Sequence, residues 1–166
     1  MPSFLTIARL VDQKAIDRLI QVHSRLIEEG YFHKMYIIGD GPLEGMLKQM
    51  IKEKQVERTF ILWGKRTNPY PDIKACNYFC LLSYYEGLGI TILEAKALGK
   101  DILITDTAAR EAVKDYPKAQ IFENTEEGVY KGIKEVLQNR NKEAKEIGEI
   151  KDSNEEILQE IKEILN

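Results

Sequence analysis

The sequence predicts an α/β protein with three layers, in which helices cover both faces of a doubly wound parallel sheet of about six strands. Short β-rich runs alternate with segments of helical period from the start of the chain to about residue 137, and this alternation is typical of parallel strands joined by crossover helices. The chain has 166 residues, a length at which one domain is expected. Its 43% hydrophobic and 31% charged residues are typical of an ordinary globular protein.

Six short runs rich in β-branched, aromatic and aliphatic residues are the predicted strands. They are Ser3–Ala8, Lys34–Ile38, Thr59–Leu62, Tyr78–Leu82, Asp101–Thr105 and Ala119–Phe122. In the order 3-2-1-4-5-6 of a Rossmann-like sheet, the winding reverses between the first and fourth strands. Ligands bind at such a point, in the crevice outside the carboxyl ends of the strands.

Helices are predicted between these strands from apolar residues spaced by three and four. The first has Ile16, Leu19, Ile20, His23, Leu26 and Ile27 on one face, with Asp12 as its expected N-cap. The others cover Leu43–Lys54, Pro71–Ala75, Ile90–Leu98 and Glu126–Leu137, and Thr125 is the expected N-cap of the last.

From Asn139 onward Lys and Glu dominate, and Gly148 interrupts the segment. An apolar stripe at helical spacing follows, made of Ile157, Leu158, Ile161, Ile164 and Leu165. We therefore expect a ligand-binding domain over residues 1–138 and a charged amphipathic helical segment over residues 139–166. The stripe packs either on the protein's own sheet or on a neighbour.

Composition argues against several classes of function. The formal charge of −3 gives no sign of the basic surface that nucleic-acid binding uses. No apolar run approaches the roughly 18 residues of a membrane helix, and the amino terminus has no basic segment of the kind that opens a signal peptide. Cys76 and Cys80, with His23 and His33, make a poor zinc set. We expect two free thiols, no metal site and a cytoplasmic protein.

The residues that follow the predicted strands are polar or glycine, and they gather at one edge of the sheet. Arg9 and Lys14 follow the first strand, Gly39-Asp40-Gly41-Pro42 the second, and Trp63-Gly64-Lys65-Arg66 the third; Ser83-Tyr84-Tyr85-Glu86-Gly87-Leu88-Gly89-Ile90 follows the fourth. At the reversal point two cations then face a glycine-rich helix N-terminus. Such an N-terminus binds anions, and the two cations complete a site for a diphosphate.

Glu94 follows in the first turns of the same predicted helix, where its carboxylate can accept hydrogen bonds from a ribose. Other nucleotide motifs do not fit. The G-x-G-x-x-G fingerprint belongs after the first strand, where the chain has Ala8-Arg9-Leu10. The sequence contains no G-x-x-x-x-G-K-[ST], which excludes P-loop enzymes. Arg9 and Lys65-Arg66 stand where a receiver domain has acidic residues.

These elements together resemble the C-terminal donor-binding domain of family-four glycosyltransferases of the GT-B fold, glycosyl transferases group 1. The resemblance covers about residues 3–137 and has the E-x7-E element, Glu86 to Glu94, at its centre. It is carried in order by Arg9-Leu10 with Lys14, Gly39-Asp40-Gly41-Pro42-Leu43, Gly64, Ser83 through Ala95, and Ala97-Leu98-Gly99-Lys100.

The resemblance implies a retaining transfer of a sugar from a nucleoside-diphosphate sugar to an acceptor hydroxyl, in polysaccharide, capsule or glycolipid biosynthesis. Arg9 and Lys14 would hold the diphosphate and stabilise the departing nucleotide. Glu86 and the backbone amides of Gly87, Leu88, Gly89 and Ile90 would contact the donor sugar and its phosphates, while Glu94 would bind the ribose. Lys65 and Arg66 would flank the base, and Gly39 and Gly41 would let the backbone approach the nucleotide. No cofactor or metal is implied, because side-chain cations stabilise the leaving group.

Two departures from the family pattern stand out. Ala8 replaces the glycine that commonly precedes the arginine, a small change that should leave Arg9 in place. The amino-terminal acceptor domain of such enzymes is not expected within these residues. The chain then reads as one half of a GT-B fold, inactive by itself, whose parent meets a carbohydrate or lipid-linked acceptor through the other half, as a peripheral protein at the inner face of the membrane.

Two alternatives remain open: a non-catalytic module that binds nucleotide sugars, and a GT-B-type nucleotide-sugar epimerase. An epimerase would need acid and base side chains facing the sugar, and Glu86 alone hardly provides both. Asp40 reads as a turn former. Trp63, Tyr84 and Tyr85 read as packing residues, and His23 and His33 receive no role.

Overall fold

The computed structural model describes residues 1–164, with the side chains of residues 1–148, Glu155 and Gln159. The stripe predicted over Ile157–Leu165 therefore lies outside the described side chains. Contacts divide the chain into two compact units, Met1–Gly132 and Ile133–Asn166.

Six parallel strands form one sheet, as predicted. They are β1 (Ser3–Ile7), β2 (Lys34–Ile38), β3 (Phe60–Gly64), β4 (Tyr78–Leu81), β5 (Asp101–Thr105) and β6 (Ala119–Phe122). Their order is β3-β2-β1-β4-β5-β6 and every pairing is parallel. The winding therefore reverses between β1 and β4, which confirms the predicted reversal point.

The four helices between the strands follow the predicted pattern with small shifts at their ends, and a fifth follows the last strand. They are α1 (Ile16–Glu28), α2 (Glu44–Glu53), α3 (Tyr70–Ala75), α4 (Ile90–Ala97) and α5 (Glu126–Ile164), with 3₁₀ turns at Asp12–Lys14 and Ala108–Val113. The prediction that Asp12 caps α1 is wrong, because Asp12 opens the first 3₁₀ turn and Ala15, in the left-handed region at φ 52°, stands before Ile16. Thr125 does cap α5, since its Oγ accepts the Gly128 amide at 2.9 Å.

The predicted end of the last helix at Leu137 is wrong, because α5 extends from Glu126 to Ile164. The segment is rich in Glu, Lys and Ile and contains no proline, so every position favours or tolerates a helix. A single Gly148 costs a helix only about 1 kcal/mol, which is too little to end it.

Both faces of the sheet are buried, as a parallel sheet requires. One face carries Leu5, Ile38, Phe79 and Ile104 against α3, α4 and the second 3₁₀ turn. Cys76 and Cys80 are buried free thiols, as predicted, and burial raises the pKa of Cys76 to about 11. Among the described residues, no helix is both long enough and apolar enough to cross a membrane.

The opposite face contains a buried histidine pair. His33 Nδ1 lies 2.8 Å from the Tyr31 carbonyl, His23 Nδ1 lies 2.8 Å from His33 Nε2, and His23 Nε2 lies 2.9 Å from Thr59 Oγ1. With both rings neutral, each N–H donates along this chain and each bare nitrogen accepts. Burial lowers the pKa of His23 to about 3 and that of His33 to about 4.

Candidate functional site

An open cleft of about 660 Å³ lies at the carboxyl edge of the sheet, at the reversal point between β1 and β4. Its walls come from the segments after β1, β2, β3 and β4 and from the first residues of α4. The charged lining residues are four cations, Arg9, Lys14, Lys65 and Arg66, and two carboxylates, Asp40 and Glu86. The cleft is therefore locally cationic in a chain whose formal charge is −3.

Lys14 and Glu86 form the central ion pair of the cleft. The Lys14 Nζ lies 2.6 Å from Glu86 Oε2, and the two side chains are 18% and 11% exposed. Ser83 Oγ donates to the same carboxylate oxygen at 3.2 Å. The pair joins the 3₁₀ turn after β1 to the loop after β4, so residues 72 positions apart meet as the predicted strand order requires.

Glu86 is followed by the glycine-rich segment that opens α4. Gly87, Leu88, Gly89, Ile90 and Thr91 all line the cleft, and α4 begins at Ile90. The first amides of a helix have no partner within the helix and carry its positive dipole end. The cleft thus combines a helix N-terminus with Arg9 and Lys14, which is the arrangement that the sequence predicts for a diphosphate.

The glycines after β2 hold the two neighbouring turns together. A Cβ on Gly39 would lie 2.0 Å from the Ala8 carbonyl oxygen, and one on Gly41 would lie 2.5 Å from the Leu10 carbonyl oxygen. The Leu10 amide donates to the Asp40 carbonyl at 2.8 Å across this contact. Gly39 lines the cleft, but Gly41 does not. Gly41 thus supports the segment that carries Arg9 instead of facing the cleft.

The three other cations differ in how firmly they are held. Arg9 is exposed and forms no ion pair among the described residues. Arg66 lies 4.6 Å over the Trp63 ring and 3.8 Å from the Asp72 carboxylate, whereas Lys65 is exposed. Arg9 and Lys65 are therefore free to move toward an anion, while Arg66 is part of a small surface cluster.

Glu94 does not line the cleft. Its Oε1 accepts the hydroxyl of Tyr70 at 3.0 Å, an exposed contact between α4 and the start of α3. The hydrogen bond to Glu94 raises the pKa of Tyr70. Tyr70 was not singled out by the sequence analysis, because a tyrosine beside a predicted short helix carries no signal of its own.

Arg18 and Asn124 were not predicted as site residues from the sequence either. Arg18 lies in α1 and reads from the sequence as an ordinary helix-surface residue, yet it is only 5% exposed. Its guanidinium contacts the Leu82 carbonyl and the Asn124 side chain, next to the loop that carries Glu86. A pair separated by 106 positions leaves no local pattern from which it could be predicted.

Comparison with known proteins identifies the domain. Residues 2–153 match the family described as Glycosyl transferases group 1. The chain is 34% identical over 110 residues to an uncharacterized glycosyltransferase of Methanocaldococcus jannaschii, covering 65% of this chain and 27% of that protein. It is 30% identical over 137 residues to the N-acetylgalactosamine-N,N'-diacetylbacillosaminyl-diphospho-undecaprenol 4-alpha-N-acetylgalactosaminyltransferase of Campylobacter jejuni, covering 81% and 37%.

The fold is shared with solved glycosyltransferases. A crystal structure of a mutant of S. aureus TarM, in complex with Fondaparinux, alpha-GlcNAc-glycerol and UDP, superposes with a TM-score of 0.70 at 24% identity. The match covers 81% of this chain and 29% of that one. The chain thus spans between about a quarter and somewhat over a third of these proteins. The family match and the six-stranded sheet, whose winding reverses between β1 and β4, show that the chain belongs to the glycosyl transferases group 1 and forms a Rossmann-like domain of the GT-B fold.

Proposed function

We propose that the chain is the donor-binding half of a retaining glycosyltransferase, which moves a sugar from a nucleoside-diphosphate sugar to an acceptor hydroxyl. The observation that carries the proposal is the cationic cleft at the reversal point, where Lys14 pairs with Glu86 at 2.6 Å beside the N-terminus of α4. The superposable TarM structure is a complex with UDP, which supports a nucleotide as the occupant. The curated relative from C. jejuni acts on a lipid-linked sugar, which favours a carbohydrate or lipid-linked acceptor in polysaccharide, capsule or glycolipid biosynthesis.

The cations act on the leaving group. Breaking the bond between the sugar and the phosphate places negative charge on the departing diphosphate. Arg9, Lys14 and the first amides of α4 are donors gathered around one cleft, and donors of this kind stabilise the transition state where its charge develops. Lys14 has three N–H groups, so it can keep Glu86 as a partner and still donate to a phosphate oxygen. We propose that no metal ion takes part, because these groups provide the positive charge.

Glu86 acts on the sugar. Its carboxylate only accepts hydrogen bonds, and Lys14 and Ser83 both hold Oε2. Oε1 is left to accept from a sugar hydroxyl, which orients the ring over the phosphates. Glu94, one turn along α4 from the cleft-lining Ile90, accepts from the ribose hydroxyls in place of Tyr70. Lys65 and Arg66 then flank the base from the segment after β3.

Binding can be tested on the chain as it stands. Thermal-shift and calorimetric titrations with UDP, GDP and ADP should show that at least one of them stabilises the protein, by about 2.7 kcal/mol at 100 times its dissociation constant. Arg9→Met should weaken that ligand. Arg58→Met is the matched control, because Arg58 is an exposed arginine just before β3, at the opposite edge of the sheet. Absence of stabilisation by all three nucleotides at millimolar concentration would refute the proposal.

Sugar transfer requires an acceptor held in position in addition to the donor-binding groups of the cleft. Holding the acceptor hydroxyl close to the anomeric carbon, on the face from which the phosphate departs, contributes about 7–11 kcal/mol to lowering the barrier, and the cleft provides groups for the donor. We therefore propose that the 166-residue chain binds its donor but transfers no sugar. A radiolabelled donor incubated with the chain and with a longer form containing an acceptor domain separates the two activities. Product from the chain at the rate of the longer form would contradict the two-domain mechanism.

A further inference from the structure

Arg18 is a buried cation with neutral partners. It is 5% exposed, and within the part of the chain that the structure describes it takes part in no ion pair. Arginine is almost never buried to this extent without a partner that compensates its charge. Burial accordingly lowers its pKa, while Tyr84, Asp17 and Glu126 act in the opposite direction. A charged guanidinium at a buried position indicates that its hydrogen bonds contribute to the local structure.

Arg18 contacts the loop after β4 directly and also through Asn124, which follows β6. Its Nη2 donates to the Leu82 carbonyl at 2.7 Å, and its Nη1 donates to Asn124 Oδ1 at 3.0 Å. Because a guanidinium only donates, Asn124 must present its oxygen to Arg18 and its amide to the other side. That amide donates to the Tyr84 carbonyl at 2.8 Å. The guanidinium also lies 4.5 Å over the Tyr84 ring.

The same short segment is fixed from two further directions. Thr105 Oγ1 donates to the Ser83 carbonyl at 2.6 Å. On the other side, the Tyr84 amide donates to the Gln13 carbonyl at 3.0 Å, and Gln13 Nε2 donates to the Tyr85 carbonyl at 3.1 Å. Consecutive carbonyls are therefore held just before Glu86. Arg18 and Asn124 supply two of these contacts and link α1 to the segment after β6.

We propose that Arg18 and Asn124 are positioning residues, which fix the loop after β4 so that Glu86 and the N-terminus of α4 meet the donor in a preset arrangement. The inference rests on the proposed function of the cleft. Neither residue lines the cleft, so both act through the loop and not on the ligand. A fixed loop favours binding because its ordering does not have to be achieved when the ligand arrives.

Asn124→Asp separates positioning from general stability. The new carboxylate keeps an acceptor for Arg18 and adds an ion pair, so the melting temperature should hold or rise, but the Tyr84 carbonyl loses its donor. Asn124→Ala removes both contacts without adding charge. The dissociation constant for UDP should rise about tenfold in each variant, as for the loss of one hydrogen bond.

Asn77→Asp is the matched control. It adds the same charge at the opposite edge of the sheet, where Asn77 Oδ1 accepts from the Ser3 amide and hydroxyl, and it should leave UDP affinity unchanged. Affinities within twofold of the parent in both Asn124 variants would overturn the inference. So would a loss confined to Asn124→Asp, since repulsion between charges would then explain it.

Hydrogen exchange without ligand tests the positioning of the loop separately from the proposed function. The Tyr84 amide is protected by its bond to Gln13, and it should exchange at least tenfold faster in both Asn124 variants while the amides of β1 keep their rates. If the parent binds none of UDP, GDP and ADP, the proposed function fails, and the exchange rates still decide on loop positioning. Unchanged Tyr84 exchange in both variants would overturn the inference.

Discussion

Replacing Lys14 by methionine tests the central ion pair of the cleft. The variant leaves the Glu86 carboxylate, 11% exposed in the parent, without its cation. Removing one partner of a buried pair costs about 3–5 kcal/mol, and the residual exposure of both side chains places the expected loss near the lower end, at about 3 kcal/mol. The free energy of unfolding should therefore fall by about that amount at pH 7, as measured by urea denaturation.

The chain contains a control of the same geometry at a different depth. Lys48 Nζ also lies 2.6 Å from a carboxylate, that of Glu44, but these side chains are 62% and 39% exposed. Water screens such a pair, so Lys48→Met should cost no more than about 0.5 kcal/mol. The comparison holds the N···O distance constant and contrasts a buried pair with an exposed one.

A double variant separates stability from binding. Lys14→Met with Glu86→Gln removes both charges, so most of the lost stability should return, whereas UDP affinity should stay low because a diphosphate cation is gone. Equal losses of stability in Lys14→Met and Lys48→Met would refute the reasoning about burial. Recovery of UDP affinity in the double variant would refute the role of Lys14 in binding.

Three further outcomes are expected. Since the pKa values of His23 and His33 lie near 3 and 4 in the folded protein and near 6.5 in the unfolded chain, the unfolded state binds more protons below pH 6.5. Stability should therefore fall by about 1.4 kcal/mol per histidine between pH 7.5 and pH 5.5; a urea midpoint that does not move would contradict this. Glu94→Ala should weaken UDP while leaving inorganic pyrophosphate unaffected in calorimetry, and equal losses would show that Glu94 supports the fold instead. Gly39→Ala places a Cβ 2.0 Å from a carbonyl oxygen and should cost about 3 kcal/mol or more. Gly99→Ala is also at a positive φ, 69° against 140° at Gly39, but its Cβ would meet open space, so it should cost about 1 kcal/mol; equal melting temperatures would exclude the steric explanation.

The sheet and the centre of the cleft could be predicted because their signals are local or topological. Each strand is a short apolar run, and once the order is known, residues that follow β1 and β4 must meet at one edge. Lys14 and Glu86 therefore fall together although 72 positions separate them. The glycines after β2 carry a similar local signal, although the sequence did not distinguish Gly39, which lines the cleft, from Gly41, which supports it.

The side-chain contacts around the cleft could not be predicted in this way. Whether the Arg18 side chain is buried depends on which carbonyl and amide groups the segments after β4 and β6 place beside α1. The sequence of α1 alone does not indicate this. The partnership of Tyr70 with Glu94 depends likewise on how two short helices are placed side by side. The Asp12 prediction failed for a related reason: a capping residue is a local preference, and here the chain takes a 3₁₀ turn before α1 begins.

The contact between the turns after β1 and β2 has a consequence for how such a domain can change during evolution. Backbone packs on backbone at Gly39 and Gly41, so neither turn can acquire a new side chain or a new length without displacing Arg9. The segment after β3 faces the same cleft with exposed side chains at Lys65 and Arg66. Under the proposed function, in which Lys65 and Arg66 flank the base, exchange of that segment alone would change the nucleotide preference while the residues proposed to hold the phosphates stay unchanged.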